Sequence, residues 1–151
     1  KGALWMIKCL KVLIFTVLSF FIINLSTVAS EENLKFPLNN LNGNPLRGKV
    51  TVRNINNVSC LICHQLPIPD EPNHGEIGPS LIGIGSRLTK EQLRRQLIYP
   101  KTVNAKSIMP SYFQTEELYR VSPKYIGKPI YTAQQLEDVV AYLFSLKEIQ
   151  D

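Results

Sequence analysis

The chain has 151 residues, a length typical of one domain, with a formal net charge of +5 and a pI of about 9.2. Three basic residues stand before residue 12, so residues 31–151 hold fourteen basic and twelve acidic residues and a net charge of only +2. Because no basic run or clustered basic face remains, the composition argues against a nucleic-acid-binding protein.

The first thirty residues are predicted to be a secretory signal peptide. Lysines precede a largely apolar run of fourteen residues, Val12–Leu25, and small residues follow it. A membrane-spanning helix needs about 20 apolar residues, so cleavage after Ala29 or Ser30 is favoured over a retained anchor. Met6 is the expected initiator, with a possible upstream extension before it, and Cys9 would be removed with the signal peptide.

The remainder is predicted to be one helical domain over 45–151, preceded by a mobile, asparagine-rich segment at 31–44. Asn44 followed by Pro45 is typical of a helix N-terminus, and a helix is expected from about Pro45 to Asn57. Gly48 within it indicates a place where another element comes close.

Residues 65–85 are rich in proline and glycine, and this irregular segment is too long for an ordinary turn. A buried cofactor would organise it.

Two later helices carry clear start signals. TKEQ at 89–92 and TAQQ at 132–135 are capping boxes, and Pro100 should end the first of these helices near Ile98. The last helix has an amphipathic stripe, formed by Leu136, Val139, Val140 and Leu143. No window alternates well enough to predict a strand, so the fold class is all-α.

The sequence Cys60-Leu61-Ile62-Cys63-His64 is a haem-attachment motif. Each thiol would add to a haem vinyl group, and His64 would become the proximal ligand of the iron. A thioredoxin-like redox pair belongs in a βαβ pattern, which the sequence lacks. A zinc site would need further ligands, and apart from His64 only His74 remains.

Met109 is the predicted distal ligand of the iron. Pro110 disfavours helix at Met109, which places the methionine on an extended loop, whereas His74 lies among loop-forming residues. Thioether ligation favours ferrous iron and raises the reduction potential. The other ring nitrogen of His64 needs an acceptor, for which we predict the carbonyl of Pro79 in the Gly78-Pro79 pair.

The segments CLICH, IGPSLIGIG, IMP and EDVVAYLFSL together resemble class I cytochromes c. This resemblance implies helices wrapped around one covalent haem c, with the first and last helices crossing where Gly48 meets Tyr142. Residues 45–147 further resemble the SoxX family, the small cytochrome subunits of SoxAX complexes, through IMPSYF and YIGKPIYTAQQLEDVVAYL. The family pattern places His64 and Met109 on the iron.

The resemblance implies periplasmic electron transfer in thiosulfate oxidation, as one half of a heterodimer with a SoxA-like cytochrome subunit. The complex joins thiosulfate to a cysteine of the carrier SoxYZ, and the electrons released would pass to a downstream cytochrome c. With Cys60 and Cys63 bonded to haem, residues 31–151 keep no thiol, so we expect no catalytic residue in this chain. A free-standing periplasmic shuttle cytochrome and a haem-free thiol or metal-binding module remain as alternatives.

Overall fold

The computed structural model describes residues 34–35, 37–116 and 118–148. The predicted signal peptide and its cleavage site lie outside these residues. Among the described helices, none combines the length and the apolar character that crossing a membrane would require.

The described residues form five α-helices joined by loops and short 3-10 turns, with no strand among them, which confirms the all-α prediction. The helices are α1 (Pro45–Arg53), α2 (Ile84–Arg87), α3 (Lys90–Ile98), α4 (Pro100–Val103) and α5 (Ala133–Ser145). The 3-10 turns are Leu38–Asn40, Ile55–Asn57, Cys60–Ile62 and Pro123–Tyr125.

The predicted start signals of the three longer helices are present. The side chain of Asn44 accepts hydrogen bonds from the first turn of α1, and complete capping boxes begin α3 and α5. Helix α1 ends earlier than predicted, at Arg53. The side chain of Asn54 accepts a hydrogen bond from the backbone N–H of Asn56 at 3.0 Å, and this local bond competes with continuation of the helix.

Helices α1 and α5 cross in close contact at Gly48. A Cβ at Gly48 would collide with the backbone carbonyl of Asp138 and would lie 2.7 Å from Cβ of Tyr142. Only glycine allows the two backbones to approach so closely. The apolar stripe of α5 is buried in the core behind this crossing, as predicted, through Leu136, Val139, Val140 and Leu143.

The described residues of the leading segment 31–44 are hydrogen-bonded to the helices. The backbone N–H of Leu38 donates to the Glu137 carboxylate at 2.9 Å, and the Arg94 guanidinium donates to the Leu34 carbonyl at 2.6 Å. Arg94 and Glu137 also form an ion pair at 2.7 Å, with side chains only 2% and 3% exposed. These partners lie far along the chain, so the local composition could not reveal them.

Candidate functional site

A cavity of about 490 Å³ opens between the cysteine-bearing turn, the irregular segment after it, α3 and the loop after α4. Cofactor pockets commonly enclose about 300–1,000 Å³. The cavity wall is mainly apolar, and its aliphatic side chains include Leu81, Ile84, Leu88, Leu93 and Leu97. The same cavity is lined by all five residues predicted for the site, which are Cys60, Cys63, His64, Pro79 and Met109.

The two cysteines lie in and directly after the 3-10 turn Cys60–Ile62. Ser59 caps this turn, since its hydroxyl accepts from the backbone N–H of Leu61 at 3.2 Å and donates to the Val52 carbonyl at 2.8 Å. The turn is thereby tied to α1. The backbone N–H of His64 donates to the Cys60 carbonyl at 2.9 Å, which keeps His64 beside the two sulfur atoms.

His64 is positioned by the Gly78-Pro79 pair. Its ring Nδ1 lies 2.7 Å from the Pro79 carbonyl oxygen, and the backbone N–H of Gly78 donates to the Cys63 carbonyl at 2.8 Å. A Cβ at Gly78 would collide with the imidazole. The carbonyl can only accept, so Nδ1 carries the proton, and Nε2 keeps its lone pair available for a metal ion.

Met109 lies on the loop that follows α4, and this loop is fastened to the end of α3. The backbone N–H of Tyr112 donates to the Leu97 carbonyl at 2.9 Å, and the Ser111 hydroxyl donates to the Ile98 carbonyl at 2.6 Å. His74 lies outside the cavity lining, with its Nδ1 3.3 Å from the Gly75 carbonyl oxygen.

Cys60 is 5% exposed and lies near two stacked tyrosines, Tyr112 and Tyr131, whose ring centroids are 4.6 Å apart. Burial raises the pKa of the Cys60 thiol to about 11, although the tyrosine hydroxyls offset part of this effect. Redox-active CxxC cysteines need a lowered pKa that favours the thiolate. The environment of Cys60 therefore argues against a thioredoxin-like exchange function.

The sequence did not single out two features of the site, the tyrosine pair and Gln96. Tyr112 lines the cavity, and Gln96 faces it from α3 between Leu93 and Leu97. The available sequence signal for Gln96 was its position as a polar residue next to the apolar positions of a helix. No comparable local signal marked the tyrosine pair, because its two members are distant in the sequence.

The chemistry of the cavity fits a haem. Two thiols three residues apart with an adjacent histidine are the groups that attach haem c, and histidine with methionine is a common axial pair in cytochromes c. The apolar wall suits the faces of a porphyrin. The residues that would hold it are Cys60 and Cys63 at the vinyl groups, with His64 and Met109 at the iron.

Comparisons with known proteins indicate the same cofactor. The family model described as "Cytochrome c" matches residues 47–147. A chain in the crystal structure of SoxXA from P. pantotrophus is 35% identical, and the match covers 74% of this chain and 88% of that chain with a TM-score of 0.66. No curated protein matches the chain.

Proposed function

The chain belongs to the cytochrome c family as a SoxX-type electron-transfer subunit with covalent haem c, and we propose that it serves thiosulfate oxidation beside a SoxA-like partner. The observation that carries this proposal is the cavity in which the CxxCH turn and the Met109 loop meet. The proposal of a SoxA-like partner is supported by the 35% identity to a chain of a SoxXA structure.

In this proposal, Cys60 and Cys63 would hold the haem through thioether bonds, and His64 and Met109 would bind its iron. When bound, the haem supplies a centre that gains and loses single electrons. The Pro79 carbonyl holds His64 Nδ1 at 2.7 Å, which fixes the orientation of the imidazole and strengthens its donation. The apolar wall of the cavity would exclude water from the bound haem.

In this proposal the SoxA-like partner would supply the reacting thiol, because both cysteines of residues 31–151 would be used in haem attachment. Thiosulfate would be joined to a cysteine thiol of a SoxYZ carrier through a new sulfur–sulfur bond, with release of the thiol proton and two electrons. The haem of this chain would supply a one-electron carrier between that reaction and a downstream cytochrome c, which is the electron acceptor in this proposal. This chemistry belongs to the periplasm, where the predicted signal peptide would deliver the chain.

The test is to mature the chain together with the SoxA-like protein of its own organism. We expect a stable heterodimer, and we expect the haem of this chain to be reduced on addition of thiosulfate and SoxYZ. A Cys60→Ala/Cys63→Ala variant provides the control without covalent haem. Recovery of a haem-loaded monomer that thiosulfate does not reduce would instead indicate a free-standing shuttle cytochrome.

A further inference from the structure

We propose that Gln96 is a positioning residue for the distal ligand, because its side-chain amide donates a hydrogen bond to the Met109 sulfur and thereby raises the haem reduction potential. This inference rests on the proposed ligation of iron by Met109. The contact is direct, since Gln96 Nε2 lies 3.6 Å from Met109 Sδ. This distance is longer than that of an N–H···O hydrogen bond because sulfur is a larger atom than oxygen.

Gln96 is held in place by the rigidity of α3. Its neighbours on the same helix, Leu93 and Leu97, are 3% and 2% exposed, so the backbone on both sides of Gln96 is fixed by packing. The capping box at the start of α3 and the buried Arg94–Glu137 ion pair secure the helix further. Gln96 therefore presents its amide to the cavity from a rigid element.

A thioether sulfur has two lone pairs, so it can bind iron with one and accept an N–H with the other. A hydrogen bond to the sulfur withdraws electron density from it and weakens its donation to iron. Weaker donation from the sulfur destabilises ferric iron more than ferrous iron, so the reduction potential rises. The contact also restricts the methionine side chain, whose three rotatable bonds otherwise leave it adaptable.

The loop that carries Met109 has anchors independent of Gln96, namely the bonds of Tyr112 and Ser111 to the end of α3. Replacing Gln96 should therefore leave the loop in place. Gln96→Leu removes the donor while adding to the apolar wall. Gln96→Asn keeps an amide but shortens the side chain by one methylene, so the donor no longer reaches the sulfur.

The experiment measures the reduction potential and the ferric iron–methionine charge-transfer band of the haem-loaded protein. For both Gln96→Leu and Gln96→Asn, we expect the potential to fall by at least about 18 mV. This corresponds to a roughly twofold shift in the one-electron equilibrium at about 59 mV per tenfold. Gln114→Leu makes the same chemical change outside the cavity lining and should leave the potential unchanged.

A Gln96→Leu protein that keeps both the methionine band and the wild-type potential would overturn the inference, with the proposed function intact. A lowered potential in Gln96→Leu but not in Gln96→Asn would also overturn it, because wall polarity rather than the hydrogen bond would then be responsible. Absence of the methionine band from the wild-type protein would refute the ligand assignment together with this inference.

Discussion

The His64 imidazole is fixed by contacts on separate sides. Nδ1 faces the Pro79 carbonyl, Gly78 packs against the ring, and the backbone N–H of His64 is bonded to Cys60. Such constraints leave the imidazole with little rotational freedom, so Nε2, the nitrogen that would bind iron, is already oriented. Met109 is held less directly, through the loop anchors and the Gln96 amide, which makes it the more replaceable of the two ligands.

Replacing Met109 with alanine should lower the reduction potential, because the thioether that favours ferrous iron is lost. The open axial position should also bind added ligands such as imidazole or cyanide. Spectroelectrochemical titration of the haem-loaded protein and ligand-binding difference spectra would measure both effects.

His74→Ala is the matched control, and it should keep the low-spin spectrum because His74 lies outside the cavity lining. Loss of that spectrum in His74→Ala, or an unaltered spectrum and potential in Met109→Ala, would show that the distal ligand is assigned wrongly.

The contacts that hold the helices together include a close backbone approach and a buried ion pair. Helix α1 reaches α5 through Gly48, whereas α3 reaches α5 through Arg94 and Glu137. The ion pair also supplies hydrogen bonds to the backbone at Leu34 and Leu38. Helix α5 is therefore the element on which the rest of the domain assembles.

Gly48→Ala should destabilise the protein although alanine is the better helix former by about 1 kcal/mol. The added Cβ would collide with the Asp138 carbonyl, which is backbone and cannot move aside easily. Overpacking costs about 1–3 kcal/mol, and we expect the upper part of that range here, which exceeds the gain in helix propensity. Chemical denaturation of the haem-loaded protein measures the loss.

Val50→Ala on the same helix is the control, since Val50 is 68% exposed and the change should alter the free energy of unfolding by less than about 0.5 kcal/mol. Equal stability of the Gly48 and Val50 variants would contradict the close crossing of α1 and α5.

Glu137→Gln should be strongly destabilising, by about 3 kcal/mol, because it leaves the buried Arg94 guanidinium without a compensating charge. The free energy of unfolding measured by denaturant titration tests this.

The matched control is Glu71→Gln, which breaks the ion pair of Glu71 with Arg53, whose side chains are 36% and 35% exposed. A solvent-accessible pair of this kind contributes at most about 1 kcal/mol. A Glu137→Gln loss no larger than the Glu71→Gln loss would show that the buried pair does not stabilise the fold as described.

The predictable parts of the domain are those encoded by short stretches of sequence. The capping boxes, the apolar stripe of α5 and the CxxCH turn each lie within about one to three helical turns, and the all-α class followed from them. The crossing at Gly48 and Tyr142 came instead from the resemblance to cytochromes c.

Features that depend on distant partners were not predictable. The anchoring of Leu38 requires Glu137, and the contact of Gln96 with Met109 requires the loop to fold back on α3. Helix α1 ends early because the side chain of Asn54 bonds to the backbone nearby. The sequence alone did not indicate this bond, because an asparagine side chain can form several alternative hydrogen bonds with the backbone. Sequence patterns specify helices better than they specify which polar groups meet between them.

The proposed function of the whole molecule depends on one porphyrin that is covalently attached at Cys60 and Cys63 and around which the helices pack. Intact-mass measurement of the chain, produced in a host that attaches haem to secreted cytochromes, examines this attachment. We expect a mass increase of one haem, which persists under denaturing conditions and disappears in the Cys60→Ala/Cys63→Ala variant. An unmodified mass for the wild-type chain, with no haem stain on a denaturing gel, would contradict the covalent attachment and with it the proposed function.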